Sequence, residues 1–155
     1  MDFRITGLSP DPFRPLFGLP DAQLARRGAL RQIVDRKPGY PDRIELRDAD
    51  PGESVLLLNY THLPVDTPFH SSYAIYVREG AQSRYDRVNE VPEQFRPRVL
   101  SLRAFDRNDM LRDADIVQGA AIEGLIERLL ASPETAYIHA HYAKPGCFAA
   151  RIDRA

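Results

Sequence analysis

The chain has 155 residues, 43% of them apolar and 28% charged, with 22 acids against 21 bases and a net charge of −1. That length is one domain, residues 1–155, with a core large enough to stand without disulfides, and the single cysteine excludes an internal one. The near-neutral balance argues against nucleic acid or an anionic membrane surface as partner, since both ask for a basic excess.

The predicted elements are short and are cut by 13 prolines. Arg4 to Leu8 reads as a strand, and Pro10, Pro12 and Pro15 then forbid regular structure. Asp21 is the expected N-cap of a short helix over about 22–27 that Gly28 ends. Ala29 to Asp35 reads as a strand with Leu30, Ile33 and Val34 partly buried. Pro38-Gly39-Tyr40-Pro41 is a rigid loop. Ile44 and Leu46 alternate with Glu45 and Arg47, the period-two pattern of a half-buried strand. Asp48 to Glu53 is a turn. Ser54 to Thr61, apolar on both faces at its start, is a central strand. Leu63 to Pro68 is a loop, and Ser72 to Arg78 a strand with Tyr73, Ile75 and Val77 on one face. Gln82 to Pro97 is a polar surface excursion.

Arg98 to Asp106 and Met110 to Val117 read as further strands. Ala121 to Ala131 is the principal amphipathic helix, with Ile122, Leu125, Ile126, Leu129 and Leu130 on one stripe. Thr135 to Ala143 and Phe148 to Arg154 close the chain as strands around a Pro145-Gly146 turn. Hairpin-like connections and one good helix predict an α+β domain with a mainly antiparallel sheet and the helix on one face. A β-rich barrel or sandwich is the alternative. The N-terminus has no apolar stretch of signal-peptide length. The longest strongly apolar run, Val55 to Leu58, is far below the ~20 residues of a membrane helix, so a soluble cytoplasmic protein is expected.

The scarce chemistry falls in two blocks. His62 and His70 bracket the proline-stiffened loop, and His139 and His141 sit two apart on the closing strand, where i and i+2 share a face. Two such imidazoles can chelate one ion, so His62, His70, His139 and His141 are candidate ligands of a divalent metal. Without metal, His139 and His141 are candidate catalytic residues as general acid–base, with Cys147 as nucleophile in a Cys147–His141 pair. His62, His70 and Arg78 are then candidate ligand-binding residues, Arg78 as an anion partner. Arg43 and Arg151 are further candidate anion clamps. If Lys144 and Cys147 pair across a two-residue turn, His141 faces Ala150 and His139 faces Ile152, and a one-residue bulge would flip that assignment. A structural role for the histidines, and a small buried hydrophobe for Cys147, are the plain alternatives. No Gly-x-Gly-x-x-Gly, phosphate-binding loop or Gly-x-Ser-x-Gly elbow is present.

Several segments resemble one family. They are Phe3-Arg4-Ile5 with Gly7-Leu8; Asp35-Arg36-Lys37-Pro38-Gly39-Tyr40-Pro41 with Arg43; Asp48-Ala49 with Pro51-Gly52-Glu53; Leu56-Leu57-Leu58 with Tyr60 and His62; and Gly146-Cys147-Phe148-Ala149-Ala150-Arg151. They are similar to the bacterial family called domain of unknown function 1203, over essentially the whole chain. The resemblance implies a soluble, single-domain bacterial protein, with a cysteine often standing where this chain has Asp42. It carries no activity. The expectation is therefore a small-molecule-binding protein or enzyme with a histidine-lined site. The alternative is a non-enzymatic module acting through a homodimer.

Overall fold

The structure is a computed structural model that describes every residue from Met1 to Ala155. The chain runs through β1 (Phe3–Thr6), β2 (Leu30–Ile33), β3 (Ser54–Leu63), β4 (Ser71–Arg78), β5 (Asp86–Val88), β6 (Val99–Phe105), β7 (Leu111–Gln118), β8 (Tyr137–Tyr142) and β9 (Phe148–Arg154). Six strands form one sheet in the order β5-β1-β9-β8-β6-β7, and three form a second in the order β2-β3-β4. All the strand pairings are antiparallel. The result is one domain of mainly antiparallel sheet with few helices. The second sheet is a departure from the single sheet expected.

The principal helix, Ile122–Ala131, forms because its five apolar side chains fall on one stripe, and all five are buried. They pack with Leu100, Leu102 and Ala104 of β6, Ile138 and Ala140 of β8, and Ala150 and Ile152 of β9. Each such side chain contributes roughly 1.5–3 kcal/mol relative to exposure. The helix thus covers one face of the large sheet and leaves the other face to different chemistry. Strand β3 is central in its sheet, as its apolar start predicts. Leu56 and Leu58 join Ile75 and Val77 of β4 in a second core with Phe13, Leu24, Ala29 and Ile44.

Several expectations needed correction. Residues Asp21–Arg26 make only six residues of helix, with Pro20 rather than Asp21 in the N-cap position and no side-chain cap. Leu30 and Ile33 are 57% and 61% exposed, because β2 is an edge strand. The Ile44–Leu46 alternation is a burial pattern without a strand. Both residues are buried, yet Leu46 sits at φ 53°, outside any extended conformation. Gln82 to Pro97 is a surface segment only as far as Glu90: it contains β5 and then a 3-10 turn, Glu93–Phe95, whose Gln94 and Phe95 are buried.

The Pro41 to Asp48 segment is wedged between the sheets. Leu8 N–H donates to the Arg43 carbonyl (2.8 Å), Tyr85 N–H to the Ile44 carbonyl (2.8 Å), and Arg43 N–H to the Tyr76 carbonyl (3.1 Å). Asp42 is fully buried and accepts from the N–H groups of Glu45 and Arg78, both at 2.6 Å. Burial pushes its carboxyl up from the ordinary range, and those backbone donors oppose the shift.

Two glycines separate close approach from mere flexibility. A Cβ at Gly119 would meet the Phe95 carbonyl oxygen at 1.7 Å, whereas one at Gly124, on the exposed side of the principal helix, meets nothing within 4 Å. Gly119→Ala is therefore expected to lose more than about 2 kcal/mol through backbone displacement, and Gly124→Ala to gain about 0.5–1 kcal/mol. Urea denaturation of the two variants checks the opposite signs.

Candidate functional site

The face of the large sheet away from the helix carries the histidines in register. One row reads Arg103 of β6, His139 of β8 and Arg151 of β9, and the next reads Ser101, His141 and Phe148. A bulge between Ala140 and His141 sets this arrangement. It replaces the simple register, in which the histidines would face Ala150 and Ile152, and turns those two residues to the helix side. Phe148 stays with the histidines because the extra residue is Ala149.

His62, at the end of β3, comes down on the same surface. Its ring stacks on Phe148 with centroids 5.2 Å apart, and lies 5.0 Å from His141 and 6.1 Å from His139. His139 and His141 lie 6.5 Å apart. His70 is exposed and makes none of these ring contacts. No three His, Cys, Asp or Glu side chains of the chain are set to hold a metal ion.

His139 is 4% and His141 2% exposed. Burial pushes His62 down to about 4, and His139 and His141 down to about 3, with the Arg103 charge adding to the effect on all three. At neutral pH these are uncharged rings. His141 Nδ1 lies 3.0 Å from the Gly146 carbonyl, which can only accept, so Nδ1 carries the proton and Nε2 is a lone pair. That lone pair faces Arg103 Nη1 at 3.5 Å. Arg103 Nε donates to Ser101 Oγ at 3.3 Å. The buried Nδ1 atoms of His62 and His139 have no hydrogen-bond partner.

Cys147 belongs to different surroundings. Its sulfur accepts from Arg43 Nη2 at 2.9 Å and has no hydrogen bond with His141, whose two nitrogens face Gly146 and Arg103. Adjacent residues on a strand point to opposite faces, so Cys147 and Phe148 divide between the two sides. Arg43 is 1% exposed, donates to the Phe148 carbonyl (2.7 Å) and to the Pro41 carbonyl, and lies over the Tyr142 ring at 5.0 Å. Arg98 lies over the same ring at 5.2 Å and is held by Asp48 at 2.7 and 3.0 Å.

These groups floor a cleft of about 440 Å³. Its walls include Leu57, Tyr73, Tyr76 and Val99, and Lys144 stands at its rim. Arg78 does not serve as a free anion clamp. Its guanidinium is engaged by Glu45 at 2.6 Å and Glu53 at 3.6 Å.

Charge pairing shows which arginines matter. Eleven of the 19 form ion pairs with carboxylates. Of the other eight, six are exposed, and only Arg43, which is buried, and Arg103, which is half-buried, remain. Guanidinium does not deprotonate, so a buried one without a carboxylate is a charge awaiting its counter-ion. Sequence reasoning named Arg43 but missed Ser101 and Arg103. Their i, i+2 placement on an alternating strand beside the His-x-His strand was the available signal.

The neutral imidazoles couple stability to pH. Their folded-state values lie below the ordinary 6.5, so the unfolded chain binds more protons as pH falls below 6.5, and stability is lost from there downward. Glu53 and Glu79 are held down to about 2 by Arg47 and Arg31, so their share is lost only below the ordinary 4.5. In the pH 4.5–6.5 window the imidazoles therefore lower stability as pH falls, while Asp42, raised by burial, works in the opposite sense, so a histidine's share is read as the difference between variant and parent. Each buried imidazole contributes a slope of roughly 1.4 kcal/mol per pH unit, and half-exposed His62 less. His139→Phe, placed among Phe105, Tyr137 and Phe148, should stay within about 1 kcal/mol of the parent at pH 7.5 and flatten that slope by about one imidazole. Denaturant midpoints between pH 4.5 and 7.5 measure it.

No helix is long and apolar enough to cross a membrane. No curated protein and no solved structure matches the chain. A family model described as "Protein of unknown function (DUF1203)" matches residues 39–154, which contain the cleft, both arginines and all four histidines, and the chain belongs to that family.

Proposed function

We propose that the protein binds a small organic anion with a flat apolar body in the cleft beside Cys147. The observation that supports this reading is Arg43, a buried guanidinium whose partners are two carbonyls and a sulfur, with no carboxylate in contact. Arg98 is neutralised by Asp48, while Lys144 adds an unpaired charge at the rim. The floor is thus cationic, and the Leu57, Tyr73, Tyr76 and Val99 walls suit a ring or short apolar chain. A carboxylate or phosphate seated there would meet guanidinium donors in a partly dry setting, where charge-assisted bonds are strong.

This keeps the small-molecule reading and moves it from the imidazoles to the other side of β9. Whether the bound molecule reacts turns on Cys147, the one nucleophile on the floor. The runner-up, a homodimer built on exposed apolar residues, has its best support in Leu30 and Ile33 on edge strand β2. Light scattering that returned a stable dimer would favour it.

Benzoate and its neutral counterpart benzamide test the cleft. Benzoate is expected to bind saturably by calorimetry and to protect Cys147 from iodoacetamide, while benzamide does neither. Lys144→Ala should weaken benzoate about two- to fivefold, as befits an exposed charge. Equal binding of the two compounds, or of neither, would rule the reading out.

A further inference from the structure

The second arginine without a carboxylate, Arg103, is not among the residues that line the cleft, and neither are Ser101, His141 or His62 around it. Its surroundings are unusual in containing donors, a fixed acceptor and no acid. Arg103 Nε spends one donor on Ser101 Oγ at 3.3 Å, which leaves the serine proton free to donate elsewhere. Arg103 Nη1 reaches toward His141 Nε2 across 3.5 Å, the outer edge of a hydrogen bond. The Gly146 carbonyl fixes that nitrogen as an acceptor. His62 closes the side at 5.0 Å from His141, and its buried Nδ1 has no partner. His139, 4% exposed, also keeps an unpartnered Nδ1, and it stands between Arg103 and Arg151 in the pairing row. Arg151 is occupied by Asp153 at 2.8 Å and by the Tyr137 ring at 4.3 Å, so Arg103 alone has its charge free. Ser101, Arg103 and His62 are only partly buried, which leaves the arrangement open to solvent.

We propose that Ser101, Arg103, His141 and His62 form a binding site for a protonated phosphate group, either inorganic phosphate or a phosphate monoester. Arg103 and Ser101 donate to its oxygens, and the phosphate's own O–H donates to His141 Nε2 where the long contact to Arg103 now stands. The guanidinium fork matches two phosphate oxygens, and the neutral imidazole selects for a ligand that carries a proton. Sulfate has the same shape and no proton to give, so it would set two lone pairs against each other. An unpaired buried acceptor is the kind of mismatch from which protein sites draw large discrimination. A carboxylate, ionised at the same pH, fails for the same reason. The histidines that sequence reasoning offered to a metal or to catalysis are here a proton-accepting wall.

The test titrates the wild-type protein at pH 6.0 and fixed ionic strength with inorganic phosphate, methyl phosphate and sulfate. Imidazole ring signals are followed by NMR, with His70, exposed and remote from these contacts, as internal reference. Phosphate or methyl phosphate should shift the His62 and His141 signals saturably and bind at least tenfold more tightly than sulfate, with His70 unmoved. The tighter of the two phosphates identifies whether the free ion or an ester is the source. Arg103→Gln should weaken binding at least tenfold and leave benzoate binding in the cleft unchanged. Equal phosphate and sulfate affinities, shifts that include His70 equally, no saturable shift, or an Arg103→Gln variant that binds as the parent would each overturn the proposal. The wild-type comparison of phosphate with sulfate decides the matter even if that variant does not fold, and neither outcome depends on whether the cleft takes benzoate.

Discussion

Arg43 is the tie on which the two-sheet arrangement rests. Its backbone joins β4 through the Tyr76 carbonyl and receives the N–H of Leu8 beyond β1, while its side chain reaches the Phe148 carbonyl at the start of β9, the Cys147 sulfur and the Tyr142 ring. One residue therefore contacts the small sheet, the large sheet and the wedge between them. Desolvating a guanidinium is expensive, and the return comes as donors delivered to carbonyls that no strand satisfies. A lysine at this place would offer a point charge and could not span three acceptors in different directions. The same placement explains why the cleft lies where it does. Packing a charged group at the junction of two sheets leaves a gap that apolar side chains alone would have filled.

The bulge in β8–β9 does the second piece of organisation. Without it, His139 and His141 would share their face with Ala150 and Ile152, and the helix-side core would lose two apolar residues. With it, Ala149 is absorbed, Ala150 and Ile152 seal against the helix, and the imidazoles meet Phe148, Ser101 and Arg103. Cys147 and Phe148 then stand back to back at the start of the strand. A thiol with a guanidinium and an aromatic ring with three imidazoles are one residue apart in sequence, yet they serve opposite sides of a sheet.

Some of this was legible in the residues. The Ile122 to Leu130 stripe, the apolar run that makes β3 central, and the shared face of His139 and His141 follow from periodicity, because each depends only on neighbours in the chain. Other features are tertiary. Ile44 and Leu46 alternate as a strand would, but Leu46 takes φ 53° because the segment is wedged between sheets and has no partner strand to extend along. Phe95 looked like part of a polar excursion until Gly119 let its backbone approach. That His62 reaches the β8 histidines and His70 does not is a matter of the β3–β4 connection crossing the large sheet. No spacing rule distinguishes the two. Cys147 and His141 part on parity: across the turn Cys147 sits opposite Tyr142 and Phe148 opposite His141, so the thiol falls with Tyr142 and away from the imidazole.

The arginine excess also changes meaning once pairing is known. Arg31 with Glu79, Arg47 with Glu53, Arg96 with Glu123 and Arg98 with Asp48 pin loops in a fold that has little helix to hold them. Six of the 19 guanidiniums, those of Arg4, Arg31, Arg78, Arg96, Arg98 and Arg128, tie segments ten or more residues apart, and five more pair locally. A total near zero excludes a large basic surface, but it is silent on where two unmatched cations sit. Arg43, beside Cys147 and fully buried, and Arg103, on β6 and half-buried, are the unmatched ones. What these two positions have in common is room for an anion that the chain itself does not provide.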